Sequence, residues 1–183
     1  GALNLSEFVT DPFGKKPAFN LPEFRKAVNI AIEALNDVLD EGLDLHPLQI
    51  QRDTVRDWRQ IGLGIMGFAD ALVKLRIPYG SKRCMNLINV IGKELVNTGL
   101  QQSAILAGKK GSFAKYNEKY ILNSNFINRG CITEQTKKLI QTYGLRNSQL
   151  FTIAPTGSIG TMLGISTGVE PIYDVNGYTR TTK

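Results

Sequence analysis

Cysteine and histidine are scarce in this chain: two cysteines, Cys84 and Cys131, and one histidine, His46, among 183 residues. Two isolated cysteines cannot build a disulfide scaffold or a four-cysteine zinc site. One imidazole argues against a transition-metal site made by the protein alone. The natural setting is then the reducing, cytoplasmic interior of a cell. No run approaches the ~18 uncharged apolar residues of a membrane span, so no membrane partner is expected. The opening Gly1-Ala-Leu-Asn-Leu5 lacks an initiator Met and the basic and apolar regions of a signal peptide, and reads as the start of a fragment or processed chain.

What is present is ordinary soluble composition, 42% hydrophobic and 21% charged. That fits a single region over residues 1–183, one globular domain or part of a larger one. The formal charge of +6, from 22 Lys+Arg against 16 Asp+Glu, allows an anionic partner. The basic residues are dispersed, however, with only short pairs such as Lys109-Lys110 and Lys137-Lys138. A nucleic-acid footprint concentrates charge on one face among aromatics. Nucleic acid is not an expected partner.

Hydrophobic spacing predicts a helix-dominated α/β region. Leu3 and Leu5 alternate with Asn4 and Ser6, a strand-like start to residues 2–9. Asn20 and Glu23 form a candidate capping box, and apolar positions from Phe24 through Val28, Ile32, Leu35, Val38 and Leu39 predict a helix ending at Gly42. A second helix is expected over 48–59, with Ile50, Val55 and Trp58 facing inward. A third is expected around Phe68–Leu75, after a glycine-rich stretch from Ile61 to Gly67. Ser81 is a candidate N-cap for a long helix to about Ala107, with Met85, Ile88, Ile91, Leu95, Val96, Leu100 and Ala104 as its buried stripe. Residues 108–132 carry no clear pattern. Thr133 to Tyr143 reads as a short helix closed by Gly144, and Gln149 to Ile153 as a buried strand.

Gly62-Leu-Gly64-Ile-Met-Gly67 is literally G-x-G-x-x-G. A dinucleotide site needs a strand before those glycines and an acidic ribose ligand about 20 residues on. Asp57-Trp58-Arg59-Gln60 does not read as that strand, and Gly80, Ser81, Lys82 and Arg83 supply no acid. Close helix packing accounts for these glycines better. His46, Cys84 and Cys131 all read as structural. The segment from Leu150 to Thr161 differs, because a strand there leads into Pro155 and then into Thr156, Gly157, Ser158, Gly160 and Thr161. A helix starting near residue 158 would aim unpaired N–H groups past the strand end, with Thr156 and Ser158 adding hydroxyl donors. That arrangement suits a phosphate and is no Walker A loop, since no Gly-Lys-Ser/Thr ends it.

Gly144-Leu-Arg-Asn147, Ala154-Pro-Thr-Gly-Ser-Ile159 and Gly168-Val-Glu-Pro-Ile172, in this order, resemble the large catalytic subunit of ribonucleotide reductases. Gly1-Ala-Leu-Asn-Leu5 resembles the segment after one of that family's redox cysteines. Ile61-Gly-Leu-Gly-Ile-Met-Gly-Phe-Ala-Asp70 resembles its glycine-rich approach to a helix. The Pro-Thr-Gly-Ser form is closer to the adenosylcobalamin-dependent, class II branch than to the oxygen-dependent one.

The resemblance implies the C-terminal part of a ten-stranded α/β barrel that reduces ribonucleoside di- or triphosphates by radical chemistry. It assigns substrate-phosphate binding to Ala154, Pro155, Thr156, Gly157, Ser158 and Ile159. Glu170 belongs to a neighbouring motif without assigned chemistry, and Gly160 stands where the family more often has serine. Adenosylcobalamin, a thiol reductant system and the remainder of the catalytic chain are the implied cofactor and partners. The family's thiyl-radical cysteine lies in an Asn-x-Cys-x-Glu loop, which is absent here. No catalytic residue is therefore assigned, and the chain is expected to be inactive alone and, as an open barrel fragment, to self-associate. The alternatives are an oxygen-dependent (class I) large-subunit fragment, or a non-catalytic phosphate-binding or interaction module.

Overall fold

A computed structural model describes residues 1–174. The chain is a helix-rich α/β region, with its strands short and its helices long. Strand β1 (Ala2–Asn4) pairs in parallel with β4 (Gly64–Met66), Ala2 opposite Gly64. The connection between them carries a small antiparallel pair, β2 (Val9–Thr10) and β3 (Ala18–Phe19), then α1 (Leu21–Gly42) and α2 (Gln49–Trp58). After β4 come α3 (Phe68–Lys74), α4 (Lys82–Lys110), α5 (Glu118–Leu122) and α6 (Glu134–Tyr143). The chain then returns beside β4 through a parallel bridge, Leu63 to Phe151, and enters α7 (Gly157–Leu163). Parallel strands need long crossovers, and here both crossovers are helical.

The helix boundaries follow local chemistry. Asn20 Oδ1 accepts the Glu23 N–H at the start of α1, Ser81 Oγ accepts the Cys84 N–H at the start of α4, and Thr133 Oγ1 accepts the Thr136 N–H at the start of α6. Gly111 and Gly144 close α4 and α6 with positive φ, 83° and 76°. Helix α1 packs along α4, and α4 along α6. Their shared interior holds Phe24, Val28, Ile32, Ile91, Leu100 and Ile140. Each such side chain contributes about 1.5–3 kcal/mol on burial.

A polar knot sits inside this apolar interior. Asn36 and Asn147 exchange two hydrogen bonds of 3.0 Å through their carboxamides. Asn147 Nδ2 also donates to Arg59 O, and its Oδ1 accepts from Ser103 Oγ. Arg59 ends α2 with φ 46°, a left-handed conformation that costs a non-glycine residue roughly 1 kcal/mol. Its buried guanidinium holds Asp40 at 2.6 Å and donates to Asn36 Oδ1. These bonds tie α1, α4, the end of α2 and the segment before Phe151 together. Partnered polar groups in a buried interior specify position, and in this knot Arg59 Nε is the atom left without a partner among the described residues.

Five sequence-based expectations change. The strand-like start stops at Asn4, because Leu5–Phe8 turn as a 3-10 helix capped by Asn4 Oδ1. Helix α2 buries none of its residues: Ile50 is 73% exposed, Val55 only half-buried, and Trp58 lies flat against Phe113 with an exposed edge. Val38 and Met85 fall on the outer flanks of their helices and are exposed, so both apolar stripes are narrower than their spacing suggested. Of the expected strand at 149–153, only Phe151 forms a bridge; Leu150 is buried, but Ile153 lies beyond the last bond, Thr152 N–H to Leu63 O, and is exposed. Finally, the glycines from Gly62 to Gly67 serve a strand rather than helix packing, as described next.

Candidate functional site

The candidate loop is positioned by the residues leading into β4, Ile61 to Leu63. The Ile61 N–H donates to Gln149 O, Leu63 N–H to Leu150 O and Thr152 N–H to Leu63 O, at 3.0, 2.8 and 3.2 Å. This close approach depends on Gly62 and Gly64. A Cβ on Gly62 would lie 2.8 Å from Thr152 Cγ2, and one on Gly64 would lie 2.6 Å from Thr152 O. Gly67 has φ 68° and opens α3 directly against Asn4 Oδ1. Gly62 and Gly64 sit two residues apart, the strand period, so that spacing was the available signal for their role. Phe151 anchors the other side, its ring lying where a Cβ on Gly99 of α4 would go, 2.6 Å away.

Beyond Thr152 the chain is exposed through Ala154 and Pro155, and then turns sharply. Thr156 takes φ 52°, a left-handed residue outside the glycine class, and serves as N-cap of α7 without a side-chain capping bond. Its hydroxyl instead accepts the Gly168 N–H at 2.8 Å. With that lone pair engaged, the Thr156 O–H remains available as a donor. Gly160 N–H bonds back to Thr156 O, while helix geometry leaves the N–H groups of Gly157, Ser158 and Ile159 without intrahelical acceptors. Ser158 is exposed and its hydroxyl has no partner among the described residues. The structure thus brings Ala154, Pro155, Thr156, Gly157, Ser158 and Ile159 into one turn whose open groups are mainly donors.

Such a turn can hold anionic oxygens. Residues 150–174 contain no Lys or Arg, so the attraction comes from amides, hydroxyls and the helix end. A short helix end contributes about 0.3–1 kcal/mol and a typical hydrogen bond about 0.5–1.5 kcal/mol. A few such contacts give on the order of millimolar affinity, enough to orient a phosphate that other groups also hold.

The flanking residues are structural. A Cβ on Gly160 would meet Thr167 Cγ2 at 2.8 Å, so a serine there would have to displace Thr167. Glu170 accepts from Thr167 Oγ1 and closes its own turn. Cys84 is 2% exposed within α4, and Cys131 lies half-buried before α6, its carbonyl accepting from Asn97. Among the described residues, no group of three or more His, Cys, Asp or Glu could hold a metal ion. His46 lies half-buried between Leu43–Leu45 and α2, its carbonyl accepting from Arg52.

Comparison with known proteins yields one consistent family. A family model described as the ribonucleotide reductase barrel domain matches residues 1–183. A vitamin B12-dependent ribonucleoside-diphosphate reductase of Thermoplasma acidophilum is 34% identical over 173 residues, which cover 94% of this chain and 20% of that protein. The large subunit of a ribonucleoside-diphosphate reductase of variola virus is 30% identical, over 97% of this chain and 24% of that protein. The alpha subunit from Chlamydia muridarum is 26% identical, over 94% and 18%. The class Id ribonucleotide reductase alpha subunit of Actinobacillus ureae shares the fold with a TM-score of 0.66, at 24% identity, over 93% of this chain and 27% of that one. The chain therefore spans about a fifth to a quarter of the length of these proteins.

Proposed function

Because this chain belongs to the ribonucleotide reductase barrel-domain family, we propose that it works within a large subunit that reduces ribonucleoside di- or triphosphates, holding the substrate's phosphates at Ala154–Ile159. The observation that carries this reading is the donor-rich turn at Thr156: a left-handed cap, three open amides and two hydroxyls free to donate, delivered by a segment bridged to Leu63 just before β4. Radical chemistry is assigned to no residue here, since Cys84 is enclosed by core and Cys131 lies outside the loop. Thiol reduction and the radical centre fall to the remainder of the catalytic chain and a reductant system.

For the radical generator, the proposal is the adenosylcobalamin-dependent class, on the Pro-Thr-Gly-Ser form and the 34% identity to a vitamin B12-dependent relative. No seat for that cofactor is assigned among the described residues. No step is routed through it here. The second reading is the oxygen-dependent class, whose radical comes from a partner subunit. A requirement of the full-length protein for adenosylcobalamin, or for a partner subunit, separates the two.

The test of the phosphate site is nucleotide titration of full-length Gly157→Val and Thr156→Val beside thermal unfolding. A branched side chain at 157 stands where the anion approaches the backbone, so affinity should fall about tenfold or more with the fold intact. Unchanged affinity in both variants would move the phosphate elsewhere.

A further inference from the structure

We infer that Asp70 is a positioning residue for substrate phosphate, acting on the Thr156 hydroxyl through the Ser166–Gly168 turn; this rests on the phosphate reading above. Asp70 lies in the first turn of α3, directly after the glycine-rich strand. Its Oδ2 accepts the Ser166 N–H at 2.7 Å, although the two residues are 96 apart in sequence. The Ser166 carbonyl is held from the same helix end by the Gly67 N–H at 2.9 Å. Two residues on, the Gly168 N–H donates to Thr156 Oγ1 at 2.8 Å and so sets the direction of that hydroxyl. One continuous series of contacts runs from α3 to the loop.

Packing holds this turn on one side only, where Thr167 lies against Gly160. Beneath it lies a cavity of about 360 Å³, lined by Asp70, Gly160, Thr161, Ile165, Ser166 and Thr167. Ser166 Oγ is buried without a partner and adds no tie. On that open side, the position of the turn is set by its hydrogen bonds. Apart from Asp70 and Gly67, the turn is restrained at its start by the Ile165 N–H donating to Gly160 O at 3.0 Å and on its outer side by the Tyr79 hydroxyl donating to Val169 O at 2.6 Å. With the Asp70 acceptor gone, the turn can settle toward the cavity, and the Gly168 N–H then leaves Thr156.

The test uses the full-length protein with Asp70→Leu, Asp70→Asn and Tyr79→Phe, measuring the dissociation constants of a ribonucleoside diphosphate and of the same ribonucleoside without phosphate. Asp70→Leu should weaken the diphosphate about five- to tenfold and leave the nucleoside within about twofold. Asp70→Asn keeps an oxygen for the Ser166 N–H and should restore binding to near the parent value. Tyr79 is half-exposed, so Tyr79→Phe tests the turn even if Asp70→Leu fails to fold, and should weaken the diphosphate by a smaller factor. Equal losses for nucleoside and diphosphate would reduce Asp70 to a structural residue and overturn the inference. So would unchanged diphosphate affinity in Asp70→Leu and Tyr79→Phe while Gly157→Val weakens it, and the loop reading would then survive. If Gly157→Val also has no effect, the loop reading falls and this inference with it.

Discussion

Truncating Asn147 to alanine would leave the buried Arg59 carbonyl and the Ser103 O–H without partners, while Asn36 keeps its bonds to Ile32 O and Arg59. A buried polar group left unpaired costs about 1–3 kcal/mol, so Asn147→Ala should lose at least about 2 kcal/mol in denaturant unfolding. A loss under about 0.5 kcal/mol would mean that the knot is not formed as described. Nothing in a linear reading of Gly144-Leu-Arg-Asn147 reveals this knot, because its partners Asn36 and Asn147 are 111 residues apart. Gly64 presents the opposite case, a local constraint with a readable spacing. A methyl there meets a backbone oxygen, which cannot swing aside, and should destabilise the protein by about 1–3 kcal/mol in thermal unfolding. If Gly64→Ala were neutral, β4 and the segment before the loop would not lie as close as they do here.

The helices depend on one another through both apolar packing and surface charge. Arg25 of α1 and Glu94 of α4 form a two-point ion pair, with Nη2 to Oε1 at 2.8 Å. The hydrogen bond from Arg25 holds the Glu94 carboxyl below the usual carboxylate range, partly opposed by desolvation. A depressed folded-state pKa means that this stabilisation is present above the unfolded pKa and is lost as pH falls through the folded one. The pair is partly exposed and screened by solvent, so Glu94→Gln should cost no more than about 1 kcal/mol at neutral pH. The difference between variant and parent should close in acid. A gap that persists or widens at low pH would assign the effect to packing instead. At this scale the sequence was largely readable: the caps at Asn20, Ser81 and Thr133 and the stops at Gly111 and Gly144 are local chemistry. The orientation of α2 was not readable, because apolar spacing at Ile50, Val55 and Trp58 cannot reveal that they are covered only in part, with Ile50 left exposed. The return strand was half-readable: Leu150 faces core, but the exposure of Ile153 depends on the sheet, not on its own residues.

For the whole molecule, the loop and α7 form an edge rich in exposed apolar side chains, including Ile153 at 56%, Met162 at 77% and Leu163 at 52%. Such surface associates readily. The isolated 183-residue chain should show concentration-dependent self-association by sedimentation, reduced by Met162→Glu. A monomer at all concentrations would show that this edge is tolerated in water. The donor-rich turn itself was legible in the sequence, from Thr156, Gly157 and Ser158 following an apolar run. Its supports were not, since Asp70 and Gly168 reach Thr156 only through the tertiary fold. The most direct measurement on the central claim is an amide NMR titration of the folded protein with a ribonucleoside diphosphate. The account predicts that the resonances of Gly157, Ser158 and Ile159 move first and furthest, followed by Gly168, while Gly62 to Gly67 remain largely still. Shifts centred on the glycine-rich strand, with Gly157–Ile159 unmoved at saturation, would contradict it.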